Sequence, residues 1–273
     1  MERLRTKCPK CFKLRFWKTA DGRLRCRNCR HIFTPKLTPF NLPAKLLRQI
    51  ISEFLLEHST KIILERINVS KYKLLKTLTL LRIVMTKDVP AVFEGIVEVD
   101  ETYLGGQMKN RKLKERLKIK KNRQQRQPEV LAPLNGILCR SGQVWARLIN
   151  KTEAEDLQPL IEKQVKKGSI IYSDTWRGYT GIALKGYVHR LVRHAENEYT
   201  DQKGNHINGL EGFWGYLKRK LAAKGGIRRE RLPIYLGEYV WRYNHRNLSL
   251  KEQENLLFKR LIQHYQSNHW SEN

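Results

Sequence analysis

Three acidic blocks mark where this chain could do chemistry. Val97-Glu98-Val99-Asp100-Glu101-Thr102-Tyr103 and Ile170-Ile171-Tyr172-Ser173-Asp174 each follow a β-branched, apolar run, and Asn208-Gly209-Leu210-Glu211 opens a helical pattern that runs on to Lys218. Acids are scarce, 26 Asp+Glu against 54 Lys+Arg, so carboxylates that end hydrophobic strands need a reason. Two such groups on neighbouring strands repel unless cations hold them, and a hard ion such as Mg²⁺ takes oxygen ligands. Asp100 and Asp174 are expected at the ends of two central strands. Leu210, Phe213 or Trp214, Leu217 and Leu221 form a stripe that can lie on the sheet, leaving Glu211 and Lys218 together on an adjacent face. Glu211 could complete a metal site while Lys218 reaches a phosphate. Two ions about 4 Å apart would activate an attacking oxygen and stabilise a leaving 3′ oxygen.

Neighbouring residues suggest support for such a site. Glu98 shares a strand face with Asp100 by period two, whereas Glu101 points the other way and is expected in a salt bridge. Trp176 and Trp214 read as core, with stacking on an unpaired base as the other possibility. His206 could orient a water or Glu211.

A second metal signature lies at the start of the chain. Cys8-Pro9-Lys10-Cys11 and Cys26-Arg27-Asn28-Cys29 are separated by fourteen residues. Each CxxC turn aims two thiolates at one point, and four thiolates satisfy tetrahedral zinc with no open position, as in a structural site. Leu14-Arg15-Phe16-Trp17 and Arg23-Leu24-Arg25 read as strands joined by Asp21-Gly22, giving a zinc ribbon. Its basic residues (Lys10, Arg15, Lys18, Arg23, Arg25, Arg27 and Arg30) suit contact with DNA. Cys139, alone in a strand pattern, reads as a small buried hydrophobe.

These elements must be positioned by 273 residues carrying a formal net charge of +28. That length is enough for one or two domains with a real core, and that charge implies a polyanionic partner. An odd number of cysteines, four of them clustered, favours a reducing compartment over a disulfide framework. The polar, basic start and the lack of a long apolar run point to a cytoplasmic protein. After Pro39 and Pro43, Leu46, Leu47, Ile50, Ile51, Phe54 and Leu55 recur at helical spacing. A helix opening at Ser59 or Thr60 carries Ile62, Ile63 and Ile67. Asn68-Val69-Ser70 then caps a third helix bearing Leu74, Leu75, Leu78 and Leu81. This is a helix-turn-helix pattern whose last helix would offer Lys71, Lys73, Lys76 and Thr77 to a major groove, although a plain helical connector fits as well.

From Gly95 the pattern becomes a strand at Ile96–Asp100, a hairpin from Val130–Leu138 to Val144–Ile149 across Arg140-Ser141-Gly142, a helix from Thr152 to near Gly168, a strand ending at Asp174 and a long helix. Strands alternating with helices in this way make a mixed α/β sheet with flanking helices.

The blocks Val99-Asp100-Glu101-Thr102-Tyr103-Leu104-Gly105-Gly106, Ser173-Asp174-Thr175-Trp176-Arg177-Gly178-Tyr179 and His206-Ile207-Asn208-Gly209-Leu210-Glu211-Gly212-Phe213-Trp214 resemble the signatures of bacterial insertion-sequence DDE transposases, in a group that carries a zinc ribbon and a helical linker. The resemblance spans nearly the whole chain. It implies a ribonuclease-H-like catalytic fold in which Asp100, Asp174 and Glu211 bind Mg²⁺ or Mn²⁺ and Lys218 matches a basic residue seven positions after the third acid. Some relatives place Asn at the third site, so Asn208 competes with Glu211, though a carboxylate is the stronger ligand for a hard cation. It further implies that the helix containing Trp241-Arg242-Tyr243-Asn244-His245-Arg246 packs behind the site. The expected domains are a zinc ribbon at 1–38, a helical DNA-binding segment at 39–90, a catalytic domain at 91–250 with a basic insert at 109–128, and a helical tail at 251–273. The implied activity is binding of element ends in double-stranded DNA, cleavage to free 3′ hydroxyls and their transfer to target DNA, by a homodimer because two ends must be paired. A non-catalytic zinc-ribbon regulator and a metal-dependent nuclease are the alternatives.

Overall fold

The computed structural model describes residues 7–21, 23–33, 38–90, 92–104, 132–150, 152–174, 177–192 and 208–269. The basic insert, Trp176 and His206 lie outside the described residues. The chain divides into two compact units, Met1–Val84 with Leu248–Asn273, and Met85–Asn247.

The first unit opens with a three-stranded antiparallel ribbon. Strands β1 (Phe16–Lys18) and β2 (Leu24–Cys26) pair with Phe16 opposite Cys26, and β3 (Ile32–Phe33) adds to β2. The hairpin is tied at its turn, where the Arg23 amide donates to Asp21 Oδ1 at 3.2 Å and the Thr19 hydroxyl to the Arg23 carbonyl at 2.9 Å. The expected first strand begins later than Leu14, and β3 comes in addition; Phe33 on β3 packs edge-on against Phe16 with ring centroids 5.5 Å apart.

Helix α1 (Ala44–Leu55) follows Pro43 and buries Leu47, Ile50, Ile51, Phe54 and Leu55. In α2 (Thr60–Arg66) Ser59 caps the amide of Ile62 at 3.4 Å, and Ser70 caps the amide of Lys73 at 3.3 Å at the start of α3 (Lys71–Lys87). Two parts of the expected face of α3 are corrected. Leu75 is 45% exposed whereas Leu74, Leu78 and Leu81 are buried. Thr77 is fully buried, with its hydroxyl donating to the Lys73 carbonyl at 2.8 Å, so it is not offered outward. The helix turns Lys71, Tyr72, Lys73 and Lys76 to the exterior instead. Ile62 on α2 is likewise partly exposed while Ile63 and Ile67 are buried. The final helix, which we label α7 (Leu250–His269), packs on α1, where Arg48 donates to Glu254 at 2.8 Å and covers the Phe258 ring at 4.1 Å.

The second unit is built on a five-stranded mixed sheet. Its strands are β4 (Ile96–Leu104), β5 (Ala132–Cys139), β6 (Val144–Leu148), β7 (Ile170–Ser173) and β8 (Val188–Leu191), in the order β6-β5-β4-β7-β8. β4, β5 and β6 are antiparallel neighbours, while β4, β7 and β8 run parallel. Parallel pairing needs a crossover, which α4 (Ala154–Gln164) supplies between β6 and β7. Side-chain alternation then divides the core. Val97, Val99, Ile137 and Ile171 pack with Leu157 and Ile161 of α4 on one face. On the other, Leu134 and Leu138 pack with Leu210, Phe213, Trp214 and Leu217 of α5 (Asn208–Ala222) and with Leu236, Tyr239 and Val240 of α6 (Leu232–Asn244). The result is a sheet with helices on both faces, the mixed α/β arrangement expected. Helix α6 ends at Asn244, so His245 and Arg246 lie just beyond it.

Candidate active site

Asp100 lies mid-strand rather than at a strand end, because β4 continues to Leu104 through its pairing with β5. It does lie at the end of the ladder with β7. That ladder pairs Ile96 with Ile170, Val97 with Ile171 and Glu98 with Tyr172. Two residues further along each chain stand Asp100 and Asp174, on the face shared by Glu98 and Tyr172. The two aspartates thus stand at matching positions, each two residues past the last pair of the parallel ladder and just where β7 stops.

The third acid reaches the same face from above. The apolar stripe Leu210, Phe213, Trp214 and Leu217 turns α5 onto the sheet, which leaves Glu211 exposed in the first turn of the helix. Asn208 is exposed at its first residue, and Lys218 is exposed seven residues after Glu211. A helix rises about 1.5 Å per residue, so Lys218 stands roughly 10 Å further along the axis.

The electrostatics register the clustering. Burial raises the Asp100 carboxyl to about 6, against the hydrogen bond from Trp214, and the negative charges of Asp174 and Glu211 push the same way. Asp100, Asp174 and Glu211 therefore share one electrostatic neighbourhood. One oxygen of Asp100 is engaged by the Trp214 indole N–H at 2.9 Å.

Glu101 corrects the expectation of a salt bridge. Its described partners are neutral: the Tyr179 hydroxyl and the Asn135 amide, which donates at 3.4 Å. Burial lifts its carboxyl to about 7, opposed by the Tyr179 bond and assisted by Asp100 and Asp174. Glu98 does support Asp100's face. It is buried, accepts the Leu210 amide at 3.0 Å and lies 3.6 Å from Arg140, whose guanidinium covers the Tyr172 ring at 4.6 Å.

In the first unit, the sulfurs of Cys8, Cys11, Cys26 and Cys29 lie within 4.8 Å of one another, with Cys8–Cys29 and Cys11–Cys26 both 3.4 Å apart. Tetrahedral zinc with bonds of about 2.3 Å needs sulfurs roughly 3.8 Å apart, so the cluster fits one such ion. The Lys13 amide, with help from the neighbouring thiols, brings Cys11 down to about 6. Cys139 is buried in the second unit, far along the chain from this cluster, and donates weakly to the Glu94 carbonyl at 3.3 Å.

Residues 92–244 match the model of the ISXO2-like transposase domain, a stretch that contains all three acids. The chain belongs to this family. An "uncharacterized transposase-like protein" of Haemophilus influenzae (strain Rd KW20) is 33% identical over 119 residues, covering 44% of this chain and 93% of that protein. Among solved structures, the catalytic core domain of BIV integrase is similar at 12% identity and a TM-score of 0.35, over 57% of this chain and 86% of that one. A chain of the simian T-cell lymphotropic virus intasome in complex with PP2A regulatory subunit B56 gamma is similar at 12% identity and a TM-score of 0.36, over 74% and 70%.

Within this ISXO2-like transposase domain, sequence reasoning passed over Trp214 as an Asp100 partner, and Tyr179 and Asn135 as the partners of Glu101. One signal was available. Gly136 interrupts the inward-facing series Leu134-Gly136-Leu138, and a glycine inside a strand marks a close approach.

Proposed function

We propose that this member of the transposase family binds the ends of its own insertion sequence and catalyses divalent-metal-dependent cleavage and strand transfer. The observation that carries the reading is the matching position of Asp100 and Asp174, each two residues past the β4–β7 ladder, with the helix of Glu211 laid over the sheet beside them. The sheet order and strand directions support a ribonuclease-H-like core. The acids fit a hard cation: burial raises Asp100, the charges of Asp174 and Glu211 add to that rise, and a hard divalent ion would offset both. Asp100, Asp174 and Glu211 would hold Mg²⁺ or Mn²⁺, with Asn208 as the competing third ligand. Bound there, the metal would supply charge to the reacting phosphate and to the oxygens that enter and leave.

The chain's own groups do the rest. Asp100 and Asp174 hold their oxygens at the end of the β4–β7 ladder, and Glu211 presents its carboxylate from the outer side of α5. Lys218, two turns on, offers an ammonium to a backbone phosphate at fixed distance from the acids. Cys8, Cys11, Cys26 and Cys29 hold a structural zinc that keeps the ribbon folded. Lys71, Lys73 and Lys76 on α3, with the basic ribbon, contribute to double-stranded DNA binding, and the net charge of +28 supplies non-specific affinity. We take the working species to be a homodimer on paired ends, in the cytoplasm. Among the described residues no helix is long and apolar enough to cross a membrane.

The test is a donor-plasmid mobility assay with native flanking DNA, comparing wild type with Asp174→Asn. New insertions that carry duplicated target sequence and disappear in the variant are the expected result. Hydrolysed ends without joined products would identify a nuclease, and DNA binding with neither product would identify a regulator.

A further inference from the structure

Asp100 and the helix of Glu211 are joined by a contact that core packing alone does not require. The residue opposite Asp100 in the β4–β5 ladder is Gly136. A Cβ at that position would lie 2.4 Å from Trp214 Cζ2 and 2.6 Å from Cη2, so the indole fills the space a side chain would take. From that slot its N–H donates to Asp100 Oδ2 at 2.9 Å, with Trp214 only 4% exposed. Phenylalanine would fill much of the same volume but could not make this bond.

One helical turn earlier the same device recurs. The Leu210 amide, unsatisfied within the first turn of any helix, donates to Glu98 Oε2 at 3.0 Å. Gly209 admits that carboxylate, since a Cβ there would lie 3.0 Å from Oε2 and 3.2 Å from Leu138 Cδ2. Glu98 and Asp100 alternate on one face of β4 and receive donors from Leu210 and Trp214. Glu211 lies between those two anchors.

Building on the metal-dependent reading above, we propose that Trp214 and Glu98 are positioning residues: together they fix the helix of Glu211 to the strand of Asp100, and Trp214 occupies Asp100 Oδ2, leaving Oδ1 as the oxygen that would hold a cation. Partners that orient metal ligands commonly contribute about 10–100-fold to affinity, which sets the expected effect.

The experiment uses the full-length, zinc-loaded protein and titrates Mg²⁺ by calorimetry, while following indole N–H resonances by NMR. The Trp214 resonance is identified by its loss in Trp214→Phe. It should shift on Mg²⁺ addition in wild type and stay fixed in Asp100→Asn. Trp214→Phe should bind Mg²⁺ at least about 10-fold more weakly and need correspondingly more metal for half-maximal strand transfer, with DNA affinity unchanged. An unchanged Mg²⁺ affinity in a folded Trp214→Phe, or an indole resonance indifferent to metal in a wild type that binds it, overturns the proposal. A folded wild type that binds no Mg²⁺ overturns the metal reading itself, a distinct result. Should Trp214→Phe not fold, Glu98→Ala decides: without an acceptor it should lose hydrogen-exchange protection at the Leu210 amide and weaken Mg²⁺ binding, and retention of both overturns the proposal.

Discussion

The Tyr179 hydroxyl donates to the Glu101 carboxylate, joining the turn that follows Asp174 to the strand that carries Asp100. This places a second acid beside the site but on the opposite face of β4, against the core packed on α4. Tyr179 is itself buried, and its own ionisation is pushed well above the usual range, chiefly by burial. It therefore stays a donor at any working pH.

A stability profile follows from Glu101. Its carboxyl rises from the ordinary 4.5 to about 7 in the fold, so the native state keeps a proton that the unfolded chain gives up first. The sign is that of an acid favoured neutral: its stability contribution is complete below about 4.5 and is lost as pH rises through about 7. A shift of this size corresponds to an order of 3 kcal/mol. Zinc-loaded protein without Mg²⁺, unfolded with urea, should thus lose stability between pH 5 and about 7.5, and Glu101→Gln should flatten that loss by roughly 2 kcal/mol. An equally steep fall in the variant would remove Glu101 as its source.

The identity of the third acid can be decided by paired substitutions. Both candidates lie in the first turn of α5, but Glu211 adds to the negative field at Asp100, whereas Asn208 is neutral. Glu211→Gln should lower strand transfer by roughly a thousandfold and Asn208→Ala by less than about tenfold, on the scale of losing a main electrostatic contribution to the transition state. The opposite ranking would assign the position to Asn208. Measuring DNA affinity alongside separates chemistry from binding.

The ribbon predicts one tightly bound zinc per chain. Elemental analysis should give that ratio, and Cys26→Ser should abolish it, since its sulfur lies 3.4 Å from that of Cys11 within the cluster. Cys139→Ser should leave the ratio unchanged. Chelation should erase the NMR dispersion of β1 to β3, because a three-stranded ribbon of this size has too little core to fold without its metal.

Legibility in the sequence followed the range of the cause. The strands leading to Asp100 and Asp174 were readable because β-branched runs form them, but the extension of β4 to Leu104 was not, since it follows from pairing with β5. Ser59 and Ser70 were readable as caps because capping is local. The face of α3 was not. Its run from Leu74 to Met85 is apolar on several sides, so periodicity left the phase open, and tertiary packing chose to bury Thr77 and expose Leu75. The two residues of β3 are too few to show alternation. Tyr179 meets Glu101 across 78 positions of sequence and Arg48 meets Glu254 across 206, separations at which no local pattern carries information. The glycines were the exception: Gly136 and Gly209 mark tight approaches that sequence can flag, though not which side chain fills them.

The last prediction concerns the sheet's open edge. β6 is an outer strand, and unpaired edge backbone invites association with another chain. Here Asn244, at the end of α6, acts as a substitute strand: its Oδ1 accepts the Val144 amide at 2.7 Å and its Nδ2 donates to the Val144 carbonyl at 2.8 Å. Just beyond, Arg246 donates to the Gly142 carbonyl at 2.9 Å, closing the β5–β6 turn. Removing the amide strands a donor and an acceptor in a half-buried place. Asn244→Ala should therefore cost about 2 kcal/mol in urea unfolding and raise concentration-dependent association. Asn244→Asp keeps the acceptor and loses the donor, so it should fall between alanine and wild type; equal costs for both variants would mean that the amide fills space and does not pair the edge.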